Sequence, residues 1–263
     1  MEYIYLTKPD GNIVSCVLGV PGDAGIDEAP KGVVIVIHGF TSSKECPTYE
    51  MLLRRLPAAG LVMVGIELPG HGSDTSYKEE LRLAGCMNSI AAAEKYAEDN
   101  WPELPVYYFG SSFGAYVTGL YISTREHTGR KAFFRSGAVN MRALFVKDDP
   151  TEQEQKWLDA LHEKGYFETG MELGNPVRIT LGMYNDFDEN DLFEKFAPDR
   201  FGDNKVMMAH GEDDDVIDPA EAKRFAKEFG VPIALFPGEG HSLSNDPGTP
   251  DRVADLAIEF FEK

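Results

Sequence analysis

Cysteine, tryptophan and basic side chains are scarce in this sequence. Its 263 residues include three cysteines, two tryptophans, and 25 Lys and Arg against 44 Asp and Glu, for a formal net charge of −19. Polyanions repel so acidic a chain, so we expect no binding to nucleic acid or to anionic membranes. The charge also argues mildly against strongly anionic substrates. We interpret it mainly as a contribution to solubility.

Long apolar runs and a recognisable export signal are also missing. No stretch of about 18 consecutive apolar residues occurs, so no transmembrane helix is predicted. Residues 1–6 lack the basic region and apolar core of a signal peptide. Cys16, Cys46 and Cys86 are odd in number and have no metal-ligand spacing. We therefore expect reduced thiols and a cytoplasmic location.

Short apolar runs alternate with helical patterns along most of the chain. Residues 3–7 and 12–18 flank Asp10-Gly11-Asn12 and predict a β-hairpin. Further strands are expected at 32–37, 61–66, 106–109, 132–138, 206–209 and 231–236, and helices at 49–59, 88–100, 115–122, 220–229 and 252–262. Strands that alternate with helices predict an α/β fold, with a mostly parallel central sheet and helices on both faces.

One region breaks this alternation. Between residues 142 and 204 the patterns are helical, acidic and aromatic residues are frequent, and no convincing series of strands occurs. An unstructured loop of this length inside a compact domain is implausible. We therefore predict a small, mainly helical cap at 142–204, inserted into a core formed by 1–141 and 205–263. A subset of its aromatic side chains, above all from 181–187, is expected near the active site.

The most informative stretch is a strand, a turn and a helix. The apolar run Val106–Phe109 precedes Gly-Ser-Ser-Phe-Gly at 110–114, and a helical segment follows. In this context G-x-S-x-G forms a sharp turn that exposes a nucleophilic serine. The residues two positions before and after the serine must be very small, here Gly110 and Gly114, because strand and helix pass close together. Ser112 is therefore the candidate nucleophile, and a glycine-serine turn without chemistry is the alternative.

A serine nucleophile needs a general base and an acid that orients the base. Where a serine lies in such a turn, the acid and then the histidine follow it along the chain. Of six histidines only His241 satisfies this order, in a glycine-rich loop after the last predicted strand. A surface histidine is the alternative. The acid is expected just after the strand at 206–209, where Asp213, Asp214 and Asp215 follow one another and spacing alone does not decide.

Acyl transfer also needs hydrogen-bond donors for the oxyanion. One donor in such a turn is the backbone N–H of the residue after the nucleophile, which is Phe113 here. The second is expected from the loop after the strand at 32–37. That loop begins His-Gly-Phe at 38–40, so the Phe40 N–H is the candidate, and a tight turn without this role is the alternative.

These motifs resemble those of the α/β-hydrolase superfamily over nearly the whole chain. They are His-Gly-Phe at 38–40, Gly-His-Gly-Ser at 70–73, the serine turn, His-Gly-x-x-Asp-x-Val at 210–216 and Gly-His at 240–241. Within the superfamily the chain is similar to monoacylglycerol lipases and bacterial cinnamoyl (feruloyl) esterases, since Thr-Ser-Ser-Lys follows His-Gly-Phe. The resemblance implies that Asp214 is the acid and that the cap supplies the acyl pocket.

The motifs and the resemblance predict a serine esterase for small neutral esters, hydroxycinnamoyl esters among them. Ser112 would form an acyl-enzyme, for which no metal or cofactor is needed. One alternative is a thioesterase, or an aminopeptidase in which Asp148, Asp149, Glu152 and Glu154 could hold the amine of the substrate. Another is a small-molecule-binding protein on the same scaffold. The expected partner is a small-molecule ester, and a homodimer is left open.

Overall fold

The computed structural model describes residues 2–26, 28–72, 80–146, 149–170, 176–197 and 205–263. Its strands are β1 (Glu2–Thr7), β2 (Ile13–Gly19), β3 (Gly32–Ile37), β4 (Leu61–Ile66), β5 (Val106–Ser111), β6 (Gly129–Arg135), β7 (Tyr166–Thr169), β8 (Val177–Thr180), β9 (Val206–Gly211) and β10 (Ile233–Phe236). Its α-helices are α1 (Pro47–Ala58), α2 (Leu83–Asn100), α3 (Phe113–Thr124), α4 (Met141–Phe145), α5 (Glu152–Lys164), α6 (Leu181–Glu189), α7 (Leu192–Lys195), α8 (Pro219–Phe229) and α9 (Thr249–Glu262).

Eight of these strands form one sheet in the order β1-β2-β4-β3-β5-β6-β9-β10. The β1–β2 hairpin and the β2–β4 pair are antiparallel, and the remaining pairs are parallel. Every residue of β3 is buried, as expected for a β-branched run in a central strand covered on both faces. The predicted hairpin and the mostly parallel central sheet are therefore confirmed.

Helices cover both faces of this sheet. Side chains of α2, α3 and α8 share an apolar core with Val33 and Ile35 of β3, whereas α1 and α9 share a second core with Val34 and Val36. The two cores alternate along β3 because successive residues of a strand point to opposite faces. No helix in the described ranges is both long enough and apolar enough to cross a bilayer.

The chain changes direction across the sheet at β3. Strand β4 lies on one side of β3 and β5 on the other, so the connection through α2 passes back over β3. In open α/β sheets a ligand usually binds in the crevice at the carboxyl ends of the strands at such a point. The carboxyl end of β3 leads to Gly39, and that of β5 leads to Ser112.

The segment 142–204 lies between β6 and β9, and most of its regular structure in the described residues is helical. It also contains the antiparallel pair β7–β8, which the sequence pattern did not indicate. The sequence Val-Arg-Ile-Thr of β8 does alternate apolar and polar residues, a signal that the sequence analysis overlooked, whereas Tyr-Phe-Glu-Thr of β7 does not alternate. Phe167 and Ile179 face each other in this pair, and Trp157 of α5 stacks on Phe167 at 5.0 Å. The division into cap and core stays a prediction.

Most predicted core elements differ from the observed ones only at their ends. The largest difference is α2, which begins at Leu83 rather than at residue 88. Gly85 weakens the helical pattern there, but Leu83 and Cys86 are buried against the sheet. Burial of these side chains outweighs the poor helix propensity of glycine, which is about 1 kcal/mol less favourable than that of alanine.

Candidate active site

Ser112 lies in a sharp turn between β5 and α3. Its backbone angles are φ 52° and ψ −117°, a conformation that non-glycine residues rarely adopt. Gly110 and Gly114 permit the turn. A Cβ atom at Gly110 would lie 2.6 Å from Ala115 Cα, and one at Gly114 would lie 2.3 Å from the Ile37 oxygen. The two glycines therefore let strand and helix approach each other closely around the serine.

His241 reaches the serine from the loop after β10. His241 Nε2 lies 3.0 Å from Ser112 Oγ, and His241 Nδ1 lies 2.9 Å from Asp214 Oδ2. Because a carboxylate can only accept, the imidazole proton is assigned to Nδ1, which leaves the Nε2 lone pair facing the serine hydroxyl. The structure thus brings the three predicted side chains Ser112, Asp214 and His241 together.

Asp214 is fully buried and has partners on both carboxylate oxygens. Its Oδ1 accepts the backbone N–H groups of Val216 and Ile217, both at 2.9 Å. Its Oδ2 lies 3.1 Å from His210 Nε2 in addition to its contact with His241. Burial raises the pKa of Asp214, but hydrogen bonds from the two histidines outweigh burial and hold this pKa well below its usual value. The carboxylate therefore stays ionised at neutral pH.

The position of the turn after β9 distinguishes Asp214 from its neighbours. Asp213 and Asp215 are exposed, whereas Asp214 turns inward and accepts the N–H two residues further on. Gly211 lets this turn approach the loop that carries His241, because a Cβ atom there would lie 2.2 Å from the Glu239 oxygen. Gly211 belongs to the His-Gly-x-x-Asp-x-Val motif, and this close approach explains why a glycine is needed at that position.

The two candidate oxyanion donors adjoin Ser112. Phe113 is the first residue of α3, where the N–H has no partner within the helix. Gly39 lies against the serine, since a Cβ atom there would be 3.1 Å from Ser112 Cβ, so the loop that carries the Phe40 N–H contacts the turn. The rings of Phe40 and Phe113 pack edge to face at 5.4 Å. Apolar groups therefore surround this part of the site.

A buried ionic cluster, which the sequence analysis missed, holds the loop after β3. Glu67 Oε2 lies 3.1 Å from Lys44 Nζ, and Glu67 Oε1 accepts the Lys44 N–H at 3.1 Å and lies 2.8 Å from His38 Nε2. Burial raises the pKa of Glu67, but His38 and Lys44 lower it overall. The cluster ties both ends of the loop that contains Phe40 to a single carboxylate.

Two further polar side chains, Arg135 and Ser136, lie at the carboxyl end of β6. Arg135 donates hydrogen bonds to Ser111 Oγ at 2.9 Å and to the Ser242 carbonyl, and Ser136 Oγ donates to the His241 carbonyl at 2.8 Å. Burial lowers the pKa of Arg135 to about 10, so it is charged at neutral pH. An arginine that ends an apolar strand is a signal that the sequence analysis overlooked, because a buried charge needs partners.

A cavity of about 320 Å³ opens beside Ser112. Its walls come from the loop after β3 and the first turn of α1, from Ser111, Ser112 and Arg135, and from the loop around His241. This volume is near the lower end of the roughly 300–1,000 Å³ found for small-molecule sites. The wall residues lie in these loops and in elements of the core rather than in the described part of the segment 142–204, so the expected contribution of that segment to an acyl pocket stays a prediction.

Aromatic side chains connect that segment to the loop that carries Phe40. Phe187 of α6 packs edge to face on Phe113 at 6.2 Å and stacks on Phe145 at 4.8 Å. Phe145 in turn lies 5.8 Å from Phe40. Aromatic side chains of the segment therefore reach the residues next to Ser112, and Phe187 is the one from the stretch 181–187 that does so.

Metal ligands are not grouped around this site. In the part of the chain that the structure describes, no cluster of three or more His, Cys, Asp or Glu side chains is arranged to hold a metal ion. Cys16, Cys46 and Cys86, all within the described ranges, form no disulfide, and burial raises the pKa of Cys16 well above its usual value.

Comparison with protein families gives this arrangement a context. Residues 28–183, more than half of the chain, match the Hydrolase_4 family, which is described as serine aminopeptidase, S33. The chain belongs to this family. Its members are hydrolases of the α/β type, and the predicted α/β-hydrolase fold agrees with that assignment.

Individual relatives of this S33-family protein include esterases and lipases. The monoacylglycerol lipase of Mycolicibacterium smegmatis is 22% identical over 254 residues, which cover 84% of this chain and 85% of the lipase. The esterase YjfP of Escherichia coli is 25% identical over 264 residues, with 91% of each chain covered. Est1E from Butyrivibrio proteoclasticus with bound ferulic acid has a TM-score of 0.78 at 16% identity, covering 99% of this chain and 100% of its own. That structural likeness confirms the α/β-hydrolase fold.

His71 of this α/β hydrolase packs against the loop that carries Phe40. Its ring lies 5.4 Å from that of Phe40 and 6.3 Å from that of Phe113, and its Nδ1 lies 2.9 Å from the Pro69 carbonyl. Burial lowers the pKa of His71 to about 3, so the ring is neutral and supports the loop by packing. The sequence analysis had given it no catalytic role. Ser73 of the same motif lies outside the described residues.

Proposed function

We propose that this protein is a serine esterase that hydrolyses small neutral carboxylic esters, hydroxycinnamoyl esters among them, through an acyl-enzyme on Ser112. The observation that carries the proposal is the continuous series of hydrogen bonds from Ser112 Oγ through the His241 ring to Asp214, with distances of 3.0 Å and 2.9 Å. Such a series is the arrangement that activates a serine hydroxyl.

In the first half of the proposed reaction the serine is acylated. Ser112 Oγ attacks the ester carbonyl carbon while His241 Nε2 takes the hydroxyl proton. Asp214 accepts a hydrogen bond from Nδ1 and stabilises the imidazolium that forms. The N–H groups of Phe40 and Phe113 stabilise the oxyanion. His241 then gives its proton to the departing alkoxide, and the acyl group stays on Ser112.

Water completes the reaction. His241 removes a proton from a water molecule, whose oxygen attacks the acyl carbon, and the same oxyanion donors act again. When the tetrahedral intermediate collapses, His241 returns the proton to Ser112 Oγ and the carboxylic acid leaves. These steps require neither a metal nor a cofactor.

Size, surroundings and charge support the proposed substrate class. The cavity of about 320 Å³ suits a small ester. The ring of Phe40, which lines the cavity, favours an apolar acyl group, and a net charge of −19 disfavours a polyanionic acyl-CoA. Ferulic acid bound to Est1E, a protein of the same fold, supports testing hydroxycinnamoyl esters.

We also propose that the segment 142–204 acts as the cap of this esterase. The stacked pair Phe145 and Phe187, which packs on Phe40 and Phe113, is the observation that supports it. An apolar cover above the oxyanion donors would exclude water and so strengthen their electrostatic effect.

The acidic residues that an aminopeptidase would use include two, Glu152 and Glu154, that already interact with neighbours on their own helix. Glu152 pairs with Lys156 at 2.8 Å, and Glu154 completes a capping box with Thr151 at the start of α5. These contacts account for both carboxylates as surface charges of a helix. Asp148 lies outside the described residues.

A substrate panel tests the proposal. It consists of p-nitrophenyl esters of graded chain length, methyl ferulate, an acyl-CoA and an aminoacyl-naphthylamide, each measured as kcat/KM with the wild type and with Ser112→Ala. We expect the highest values for short p-nitrophenyl esters and for methyl ferulate. A preference for acyl-CoA, or for chains beyond about ten carbons, would contradict the substrate class without affecting the assignment of Ser112 as the nucleophile. A folded wild type that turns over no ester would favour the binding-protein alternative.

A further inference from the structure

The carboxyl end of β6 joins the strand ends that carry the proposed nucleophile and acid. The Arg135 carbonyl accepts the Ser112 N–H at 2.9 Å, which fixes the serine turn to β6. The Ser136 N–H donates to the Ala209 carbonyl at 2.8 Å, and Ala209 belongs to β9, the strand that leads to Asp214. These backbone bonds belong to the sheet and its immediate continuation.

The side chains of the same two residues extend this connection to the loop that carries the base. Arg135 bridges Ser111 Oγ and the Ser242 carbonyl, and Ser136 Oγ donates to the His241 carbonyl at 2.8 Å. Their acceptors are therefore the neighbour of the nucleophile, the base itself and the neighbour of the base. One short segment thus donates side-chain hydrogen bonds to the neighbour of Ser112 and to the loop that carries His241.

We propose that Arg135 and Ser136 are positioning residues that hold the His241 loop at the distance from Ser112 that proton transfer requires. This inference rests on the proposed function above. His241 lies in a loop with glycines at 238 and 240, and such a loop needs anchors if its ring is to stay within hydrogen-bond reach of the serine. The two carbonyls that receive the anchoring bonds belong to His241 and to the residue after it.

The chemistry of Arg135 supports a geometric role. Arg135 is 8% exposed, and the hydrogen-bond partners of its guanidinium are a hydroxyl and a carbonyl rather than a carboxylate. A cation buried on neutral acceptors is costly for stability, and an apolar side chain in its place would avoid that cost. The planar fork of arginine can reach two acceptors in fixed directions, which a lysine ammonium cannot reproduce.

Ser136 has a strained backbone as well as a buried hydroxyl. Its φ is 44°, and its side chain is fully buried. Residues other than glycine rarely adopt a positive φ, because this backbone conformation is strained, and such strain is typical of functional sites. Here the unusual backbone accompanies a hydroxyl donated to the His241 carbonyl.

The chain offers a matched control for each variant. Lys131 is a buried cation of the same strand that donates to the Phe260 and Phe261 carbonyls at 2.7 Å and 3.3 Å, at the opposite end of β6. Ser89 is a fully buried serine that donates to the Gly85 carbonyl within α2 at 3.1 Å. We therefore compare Arg135→Lys with Lys131→Met, and Ser136→Ala with Ser89→Ala.

Steady-state kinetics on p-nitrophenyl acetate give the first measurement. We expect Arg135→Lys to lower kcat by roughly 10- to 100-fold, because a base displaced by about 1 Å can cost that much. Ser136→Ala, which removes one hydrogen bond, should lower kcat by roughly 3- to 10-fold. KM should change less than about twofold in both, and both control variants should keep the wild-type kcat within about twofold.

A substrate-independent reaction of Ser112 gives the second measurement. An aryl sulfonyl fluoride sulfonylates Ser112 Oγ: an S–O bond forms, fluoride leaves, and the hydroxyl proton passes to His241. The inactivation rate constant should fall by the same factor as kcat in each variant, while the melting temperature identifies any variant that is merely unfolded. Ser136→Ala keeps the test valid if Arg135→Lys does not fold.

Three outcomes would overturn the inference. Wild-type kcat in Arg135→Lys and Ser136→Ala would show that the loop does not need them. A rise in KM with unchanged kcat, specific for an ester that carries a carboxylate, would show that Arg135 binds substrate. Equal losses in the variants and in their controls would show a general effect on the fold. Full activity in Ser112→Ala would instead contradict the proposed function, so the two failures are distinguishable.

Discussion

The carboxyl end of the sheet and the segment 142–204 differ in how far their polar side chains are buried. At the sheet end the Asp214 side chain is fully buried, with backbone donors on Oδ1 and histidines on Oδ2. In the segment, ion pairs such as Arg178–Glu168 are about half exposed, at 55% and 42%. Exposed pairs contribute little to stability, whereas buried polar groups that are fully hydrogen-bonded fix one geometry. The chemistry is therefore expected to depend on the sheet end.

Backbone strain follows the same division. The non-glycine residues with positive φ in the described ranges are Thr41, Ser112, Ser136 and Leu243, and all four lie in loops at the carboxyl end of the sheet. In the segment, positive φ occurs at Gly165 and Gly170, where it costs little. Strain of this kind persists only where the surrounding structure enforces it, so the sheet end has the more rigid backbone.

Removal of the nucleophile should give the largest effect. Ser112→Ala should lower kcat for p-nitrophenyl acetate by roughly 10⁴- to 10⁶-fold, as in other serine hydrolases that lose this group. Ser111→Ala removes only a hydroxyl bound by Arg135 and should lower kcat less than about tenfold. Far-ultraviolet circular dichroism should be unchanged in both. Comparable activity in the two variants would show that the turn does not select Ser112.

Removal of the acid should give the next largest effect. Asp214→Asn should lower kcat by about 10⁴-fold, because the amide no longer holds the reactive tautomer of His241. Asp213→Asn and Asp215→Asn change exposed side chains and should stay within about twofold of the wild type. Steady-state kinetics on the three variants checks this, and similar small losses in all three would place the acid elsewhere.

The sequence predicted the core well because its signals there are local. The strands at 32–37 and 61–66 are confirmed with the same bounds, since continuous buried apolar runs are sharply limited by polar residues and glycine. The serine turn, the position of His241 and the place of the aspartates also follow from local motifs and their order. The catalytic roles of these residues stay proposals.

The parts that the sequence did not predict depend on contacts between distant residues. Arg135 meets Ser242 and Glu67 meets Lys44 only once strands from different parts of the chain lie side by side. Neither contact leaves a periodic pattern in the sequence. The strands β7 and β8 were missed for a different reason, because the whole segment was interpreted as helical although β8 alternates apolar and polar residues.

An apolar truncation in the segment should affect stability more than catalysis. Phe187→Ala removes a fully buried ring from the contact with Phe113 and should lower the free energy of unfolding by about 3–5 kcal/mol. Leu181→Ala on the same helix changes a side chain that is 45% exposed and should cost less than about 0.5 kcal/mol. Urea unfolding measures both. A loss of kcat above about tenfold in Phe187→Ala would show that the segment positions the catalytic groups.

The buried carboxylate should also make stability depend on pH. The pKa of Asp214 is lower in the folded protein than in the unfolded chain, so its contribution to stability is present above the unfolded pKa of about 3.9 and is lost as pH falls through the folded value. The stability difference between the wild type and Asp214→Asn should thus shrink as the pH falls below about 4. Urea unfolding at each pH checks this. A difference that grows as the pH falls below about 4 would contradict the lowered pKa.

The smallest effect is expected for an exposed ion pair of the segment. Lys156→Met breaks the pair with Glu152 on α5, in which the two side chains are 62% and 89% exposed. Helical pairs at this spacing contribute about 0.3–0.5 kcal/mol, and salt screens them, so the variant should lose no more than that at low ionic strength and still less in about 1 M NaCl. Urea unfolding at the two salt concentrations measures the loss, and kcat serves as the control because this pair lies outside the buried network of the sheet end. A salt-insensitive loss above about 1 kcal/mol would mean that surface charges of the segment contribute to its packing, and the contrast between the two regions would then be weaker than their burial indicates.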